Sequence, residues 1–159
     1  PTEAEWERVA RGHCGRGSDP DDCTVGTVGT NRDNILYPWG DSEPTCGSAC
    51  WNTSVCEPAS VCTSAAHAID RSQEGAFDMA GNVSEWVGDD YKQYVYIAHG
   101  ESALCPTPPT AVSNGLVRGG SYLTDDDRDL RAANREEISA DQRLPDIGFR
   151  CVIDLPTSD

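Results

Sequence analysis

Four cysteines follow one another between Cys46 and Cys62 in the spacing C-x3-C-x5-C-x5-C, and four more stand at positions 14, 23, 105 and 151. Eight cysteines in 159 residues are too many for a reducing compartment unless they hold a metal. The spacing lacks the paired C-x2-C knuckles of a zinc ribbon, and the three histidines, His13, His67 and His99, are scattered. Disulfides are therefore expected over zinc. An extracytoplasmic location (secreted, periplasmic or cell-surface) follows from that expectation. Residues 13–74 are rich in Gly, Asp, Ser and Thr with few periodic apolar positions, so cross-links within these loops are expected to order them, with Cys14 and Cys23 closing one.

Regular structure is predicted on either side of these loops. Thr2 can cap a helix and Glu5, three residues on, completes a capping box; Trp6, Val9 and Ala10 share one face, and Gly12 ends the helix. Tyr37-Pro38-Trp39-Gly40 reads as a proline turn with Trp39 in the core, the alternative being a ligand platform. Ser84 to Tyr91 and Leu116 to Tyr122 read as strands, the second bending at its glycines where another backbone or a ligand comes close. Ile147 to Ile153, rich in β-branched and aromatic residues, reads as a central strand. The run Tyr91, Tyr94, Val95, Tyr96, Ile97 suits a recognition surface or a core equally well.

With 12 basic and 27 acidic residues the net charge is −15, which argues against nucleic acid or an anionic membrane as partner and favours cations or basic peptides. No apolar run approaches the ~20 residues of a transmembrane helix. Acidic residues cluster in Thr124-Asp125-Asp126-Asp127-Arg128-Asp129, whose carboxylates must be solvated, paired or bound to a cation; Arg131, Arg135 and Arg150 are candidate partners.

The densest chemistry is in Gly75-Ala-Phe-Asp-Met-Ala-Gly-Asn-Val-Ser-Glu-Trp86, where two carboxylates flank a Gly-Asn corner. Such a corner turns several carbonyls toward one point, and calcium takes carboxylate and carbonyl oxygens together. The alternative is a tight turn with Asp78 and Glu85 in water. Asn52-Thr53-Ser54 and Asn82-Val83-Ser84 also match the N-glycosylation sequon.

Asp78-Met-Ala-Gly-Asn-Val-x-Glu-Trp86 resembles the signature of the formylglycine-generating enzyme family, the sulfatase-modifying factors. Four further blocks resemble family blocks in the same order: Pro1 to Glu7, Tyr37 to Asp41, Val117-Arg-Gly-Gly-Ser-Tyr122, and Gly148-Phe-Arg-Cys-Val152. The resemblance implies an α+β, C-type-lectin-like fold, irregular and loop-rich, with short antiparallel strands and few helices, in which residues 1–159 form one domain that lacks its N-terminal part. It maps a calcium site onto the side chains of Asp78 and Glu85 and the carbonyls of Gly81 and Val83. Asn52 is the candidate for a second metal site, for which Glu57 fits only loosely as the acidic partner. It also pairs Cys151 with a cysteine upstream of Pro1, and Cys151 is expected on a buried strand.

In catalytically competent relatives the Arg-Gly-Gly-Ser-Tyr strand is followed by two cysteines that bind copper(I). Here those positions are Thr124 and either Asp127 or Asp129, and no cysteine occurs between Pro106 and Arg150. Soft copper(I) needs thiolates or thioethers, so no copper is expected. The expected function is a non-catalytic, calcium-stabilised, disulfide-bonded recognition or structural module. Its ligand cleft is edged by Ser121, Tyr122, Thr124, Asp127, Asp129 and Arg135, between residues 86–96 and 122–135. The ligand expected there is a peptide, glycan or protein, with a basic one favoured by the carboxylates. The alternative is an oxidoreductase, formylglycine-generating or sulfoxide-synthase-like, whose metal site is completed by sequence beyond this chain.

Overall fold

The structure, a computed structural model, describes residues 1–12, 35–58, 60–91 and 114–153. The Cys14–Cys23 closure, Tyr94 to Ile97 and Cys105 fall outside those residues. Helix α1 spans Glu3–Arg11 and begins as its sequence dictates. Thr2 Oγ1 accepts from the Glu5 amide at 3.3 Å, and Glu5 Oε2 accepts from the Thr2 amide at 2.8 Å. That backbone bond from Thr2, with the hydroxyl bond, holds the Glu5 carboxyl below its ordinary range. Asp89 adds a second cap, its Oδ2 accepting from the Glu3 amide at 2.5 Å. Gly12 ends the helix at φ 76°.

Among the described residues four strands make the sheet: β1 (Ser84–Asp90), β2 (Asn114–Arg118), β3 (Glu136–Ser139) and β4 (Ile147–Gly148), in the order β3-β2-β1-β4. The β1–β2 and β2–β3 pairs are antiparallel, and β4 runs parallel to β1. Gly115 is required in β2, because a Cβ there would lie 2.2 Å from the Trp86 ring. α1 packs Trp6 and Ala10 onto Met79, Val87, Leu116 and Ala132, which together form the main core.

The expected central strand at residues 147–153 is corrected. β4 pairs only through Ile147 and Gly148 and lies at the sheet's edge. Phe149, Val152 and Ile153 are exposed, and Cys151 is an exposed free thiol rather than a buried residue. Their apolar character promised burial, but among the described residues β1 is the only strand that β4 pairs with.

A second core joins Tyr37, Ala49, Trp51, Ala80 and Leu130, so the cysteine-rich region is anchored by burial as well as by cross-links. Trp39 is only partly buried and stacks on Tyr37 with ring centroids 5.2 Å apart. The clustered cysteines pair as expected within their loop, Cys46 with Cys56 and Cys50 with Cys62, in two overlapping rings. No helix among the described residues is long and apolar enough to cross a membrane.

Candidate functional site

The Gly-Asn corner is held in left-handed backbone at three points, Asp78 (φ 55°), Gly81 (φ 74°) and Asn82 (φ 64°). Only glycine fits at 81, because a Cβ would sit 2.3 Å from the Cys50 carbonyl oxygen. Asn tolerates the left-handed region, and here its amide, its carbonyl and its Oδ1 each hold a different residue. The Asn82 amide donates to the Cys50 carbonyl (2.8 Å), its carbonyl accepts from the Tyr122 amide (2.9 Å), and its Oδ1 accepts from the Cys62 amide (2.9 Å). Gly81 donates to the Gly119 carbonyl at 2.8 Å, and Asn52 donates to that of Thr124 at 2.8 Å. The disulfide loop, the corner and the turn after β2 thus share one junction.

The two carboxylates expected as cation ligands are both engaged. Asp78 Oδ2 accepts from Ser64 Oγ and from the Ala65 amide, both at 2.9 Å. Glu85, buried, accepts from Trp6 Nε1 at 2.7 Å and from Arg150 Nε and Nη2 at 2.5 Å each. The same Nη2 reaches the Phe77 and Asp78 carbonyls at 3.2 and 3.1 Å. Arg150 therefore joins the Asp78 backbone to the Glu85 carboxylate and shares that carboxylate's charge. Among the described residues Asp78 Oδ1 accepts no hydrogen bond, and Glu85 Oε1 accepts only that from Arg150. With the Gly81 and Val83 carbonyls these are hard oxygens, the ligand type that calcium takes and a soft ion does not. No group of three or more His, Cys, Asp or Glu able to hold a metal occurs among the described residues. A cation here would lean on carbonyls as much as on carboxylates.

Asp70 lies behind this corner and was not signalled by the sequence. It is 1% exposed, its Oδ2 accepts from the Ala80 amide at 3.4 Å, and its Oδ1 has no hydrogen-bond partner among the described residues. Burial pushes its carboxyl up to about 8, with the Asp78 charge acting the same way and the Ala80 amide and Arg150 opposing.

The expected cleft residues fall into two groups. Ser121 is buried; its Oγ donates to Asp146 Oδ2 at 2.8 Å, and its amide donates to Thr124 Oγ1 at 2.9 Å. Tyr122 is half-buried beside Asn82. Asp127 accepts from the Tyr37 hydroxyl at 3.2 Å. Asp129 and Glu136 are exposed, yet both carboxyls are raised, chiefly by partial desolvation and then by neighbouring carboxylates, Asp126 acting on Asp129 and Asp129 and Asp146 on Glu136. Arg135 belongs elsewhere: it bonds Glu3 of α1 through Nε (2.5 Å) and Nη2 (2.9 Å) and lies over the Tyr91 ring at 5.0 Å. The expected pairing of Arg131, Arg135 and Arg150 with the acidic run is corrected as well. Arg135 serves Glu3, Arg150 serves Glu85, and Arg131 faces the Tyr37 hydroxyl. Asp126 is instead bonded by Arg128 from within the run, which holds its carboxyl well below the usual range. Of the residues placed between 86 and 96, Trp86 packs on Gly115, and positions beyond Tyr91 lie outside the described residues.

Comparison with known proteins bears on the fold and the family. The chain is 28% identical over 170 residues to the formylglycine-generating enzyme of Mus musculus, covering 100% of this chain and 40% of that protein. It is 32% identical over 166 residues to the formylglycine-generating enzyme of Streptomyces coelicolor, covering 97% and 46%. It therefore spans about half the length of the relatives it matches, or somewhat less. Among solved structures, Treponema denticola variable protein 1 superposes with a TM-score of 0.66 at 26% identity, covering 94% of this chain and 45% of that one. PvdO from Pseudomonas aeruginosa, at a TM-score of 0.63 and 20% identity over 93% of this chain and 49% of its own, shares the fold. The sulfatase-modifying factor enzyme 1-like domain family matches residues 1–155, and the chain belongs to that family.

Proposed function

We infer that this chain is a non-catalytic, disulfide-bonded recognition or structural module of its family, stabilised by calcium and working outside the cytoplasm. The observation that carries the reading is the turn after β2. Thr124 Oγ1 caps the Ser121 amide and Asp127 accepts from Tyr37. These are hard oxygens in structural bonds where copper(I) chemistry needs thiolates. Two disulfides and a strongly acidic composition fit an oxidising, calcium-containing setting. The ligand favoured by Asp129, Glu136 and Asp146 is basic or hydroxyl-rich, since charge-assisted hydrogen bonds to carboxylates are the strong ones. Calcium would be held by Asp78, Gly81, Val83 and Glu85 and would supply structural cross-linking of the corner, with Asn52 the candidate for a second ion.

The test of non-catalysis is incubation with copper, oxygen, reductant and a cysteine-containing sulfatase peptide, read by mass spectrometry. No conversion above that of free copper is expected. Turnover would establish the oxidoreductase alternative. Calcium is tested separately by melting in millimolar calcium against chelator. Binding to the native state alone adds about 2.7 kcal/mol at a hundredfold excess over Kd, and an unchanged Tm would leave the corner as a turn held by Arg150.

A further inference from the structure

Residues 60–66 cross the Gly-Asn corner as an exposed strap. Cys62 is half-buried and the other six residues are exposed, Val61 at 49%. The strap is attached by the Cys50–Cys62 disulfide, by the Cys62 amide on Asn82 Oδ1, and by Ser64 Oγ and the Ala65 amide on Asp78 Oδ2. Ala65 is held at φ 57°, a left-handed conformation that a non-glycine residue keeps only when its surroundings impose it. The other end of the disulfide is fixed differently. Cys50 lies between Ala49 and Trp51, both in the second core, and its carbonyl accepts from the Asn82 amide. One sulfur therefore stands on a packed element and the other on a segment with no apolar anchor, held otherwise by hydrogen bonds that water can replace.

We propose that the Cys50–Cys62 disulfide is a redox latch. In the oxidised protein it keeps the strap over Asp78 and Asn82, and on reduction the strap leaves while the corner stays folded. The reductant is an external dithiol. Its thiolate attacks Cys62 Sγ, the half-buried end, and the bond to Cys50 breaks, with Cys50 leaving as a thiolate that takes a proton. The reductant's second thiol then displaces Cys62, which is also protonated, and the reductant departs as a disulfide, so two electrons and two protons pass to the protein. Release uncovers the Asn82 carboxamide and the Asp78 carboxylate. Breaking Cys46–Cys56 does not release the strap, because that ring closes at residue 56. The latch requires neither a cation nor the absence of catalysis.

The experiment is hydrogen exchange and elastase digestion of the folded protein before and after dithiol treatment, with each disulfide's state assigned by alkylation and mass mapping. Reduction of Cys50–Cys62 is expected to speed exchange at the Cys62 and Ala65 amides at least tenfold and to open cleavage after Val61, Ala65 or Ala66. The Gly81, Asn82 and Tyr122 amides should keep their protection. Cys50→Ser/Cys62→Ser should reproduce the released state and Cys46→Ser/Cys56→Ser should not. If either double variant fails to accumulate, wild-type protein reduced after folding gives the same readings. Unchanged exchange at Cys62 and Ala65 in the reduced protein would overturn the latch. So would loss of protection at the strap and across β1–β2 in a single step, which would make the disulfide a support of the whole fold.

Discussion

Trp6 Nε1 donates to Glu85 Oε2 at 2.7 Å, joining residues 79 positions apart. The Trp6 ring also lies under the Arg118 guanidinium at 5.1 Å, and Arg118 is fully buried between Glu3, Glu7 and the Ala132 carbonyl. Glu85 in turn binds Arg150, which holds the Phe77 and Asp78 carbonyls. Helix α1, strand β1 and the segment after β4 thus converge on one buried carboxylate. Such a network tolerates the loss of a single member poorly, because the remaining charge is left buried without its partner.

Trp6→Phe keeps an aromatic ring under Arg118 but removes the donor to Glu85. A hydrogen bond to a charged group contributes about 1.5–3 kcal/mol, so a loss of that size is expected in urea unfolding. Trp6→Ala adds a core cavity and should cost about 3–5 kcal/mol. A Phe variant as stable as the native chain would show that packing alone holds α1.

For the ion pair, Arg150→Gln and Glu85→Gln should each destabilise by about 3 kcal/mol, the low end for a buried pair since Arg150 is a quarter exposed. The double variant should lose less than the sum of the two, because each change already breaks the same bonds. Additive losses in a double-mutant cycle would mean that the two side chains act independently.

At the corner, Gly81→Ala places a Cβ 2.3 Å from the Cys50 carbonyl at φ 74°. Strain and clash together should cost at least about 1–3 kcal/mol. The signature of this mechanism is that Gly47→Ala leaves Tm nearly unchanged, since the nearest atom to a Cβ there is Thr45 Oγ1 at 3.8 Å.

Local rules carried the parts of the fold that depend on neighbours in sequence. The Thr2–Glu5 capping box, the glycine stop at 12 and the close approach at Gly119, where a Cβ would lie 3.0 Å from the Met79 carbonyl, were all legible. Long-range choices were not. Nothing in residues 147–153 tells which side of β4 finds a partner, so apolar content was misread as burial. The pairing of Arg118 with Glu3 and Glu7 spans more than a hundred positions and has no local signal in the sequence. The same limit hid Asp70, whose environment is set by Ala80 and Arg150.

Asp70 sets the expected pH dependence. Its folded carboxyl titrates at about 8 against an ordinary value of 3.8, so between those values the native state holds a proton that the unfolded chain has released. Stability from this group is complete below about pH 3.8 and is lost as pH rises through about 8. The slope is at most about 1.4 kcal/mol per pH unit in that window. Asp70→Asn removes the titration while keeping a neutral side chain of similar shape. In chelator, so that calcium does not compete, the variant's unfolding free energy should fall less from pH 5 to pH 9 than that of the native chain. At pH 9 the variant should be the more stable of the two. Parallel stability curves would show that the buried Oδ1 is ionised throughout and is satisfied by a partner such as an ordered water.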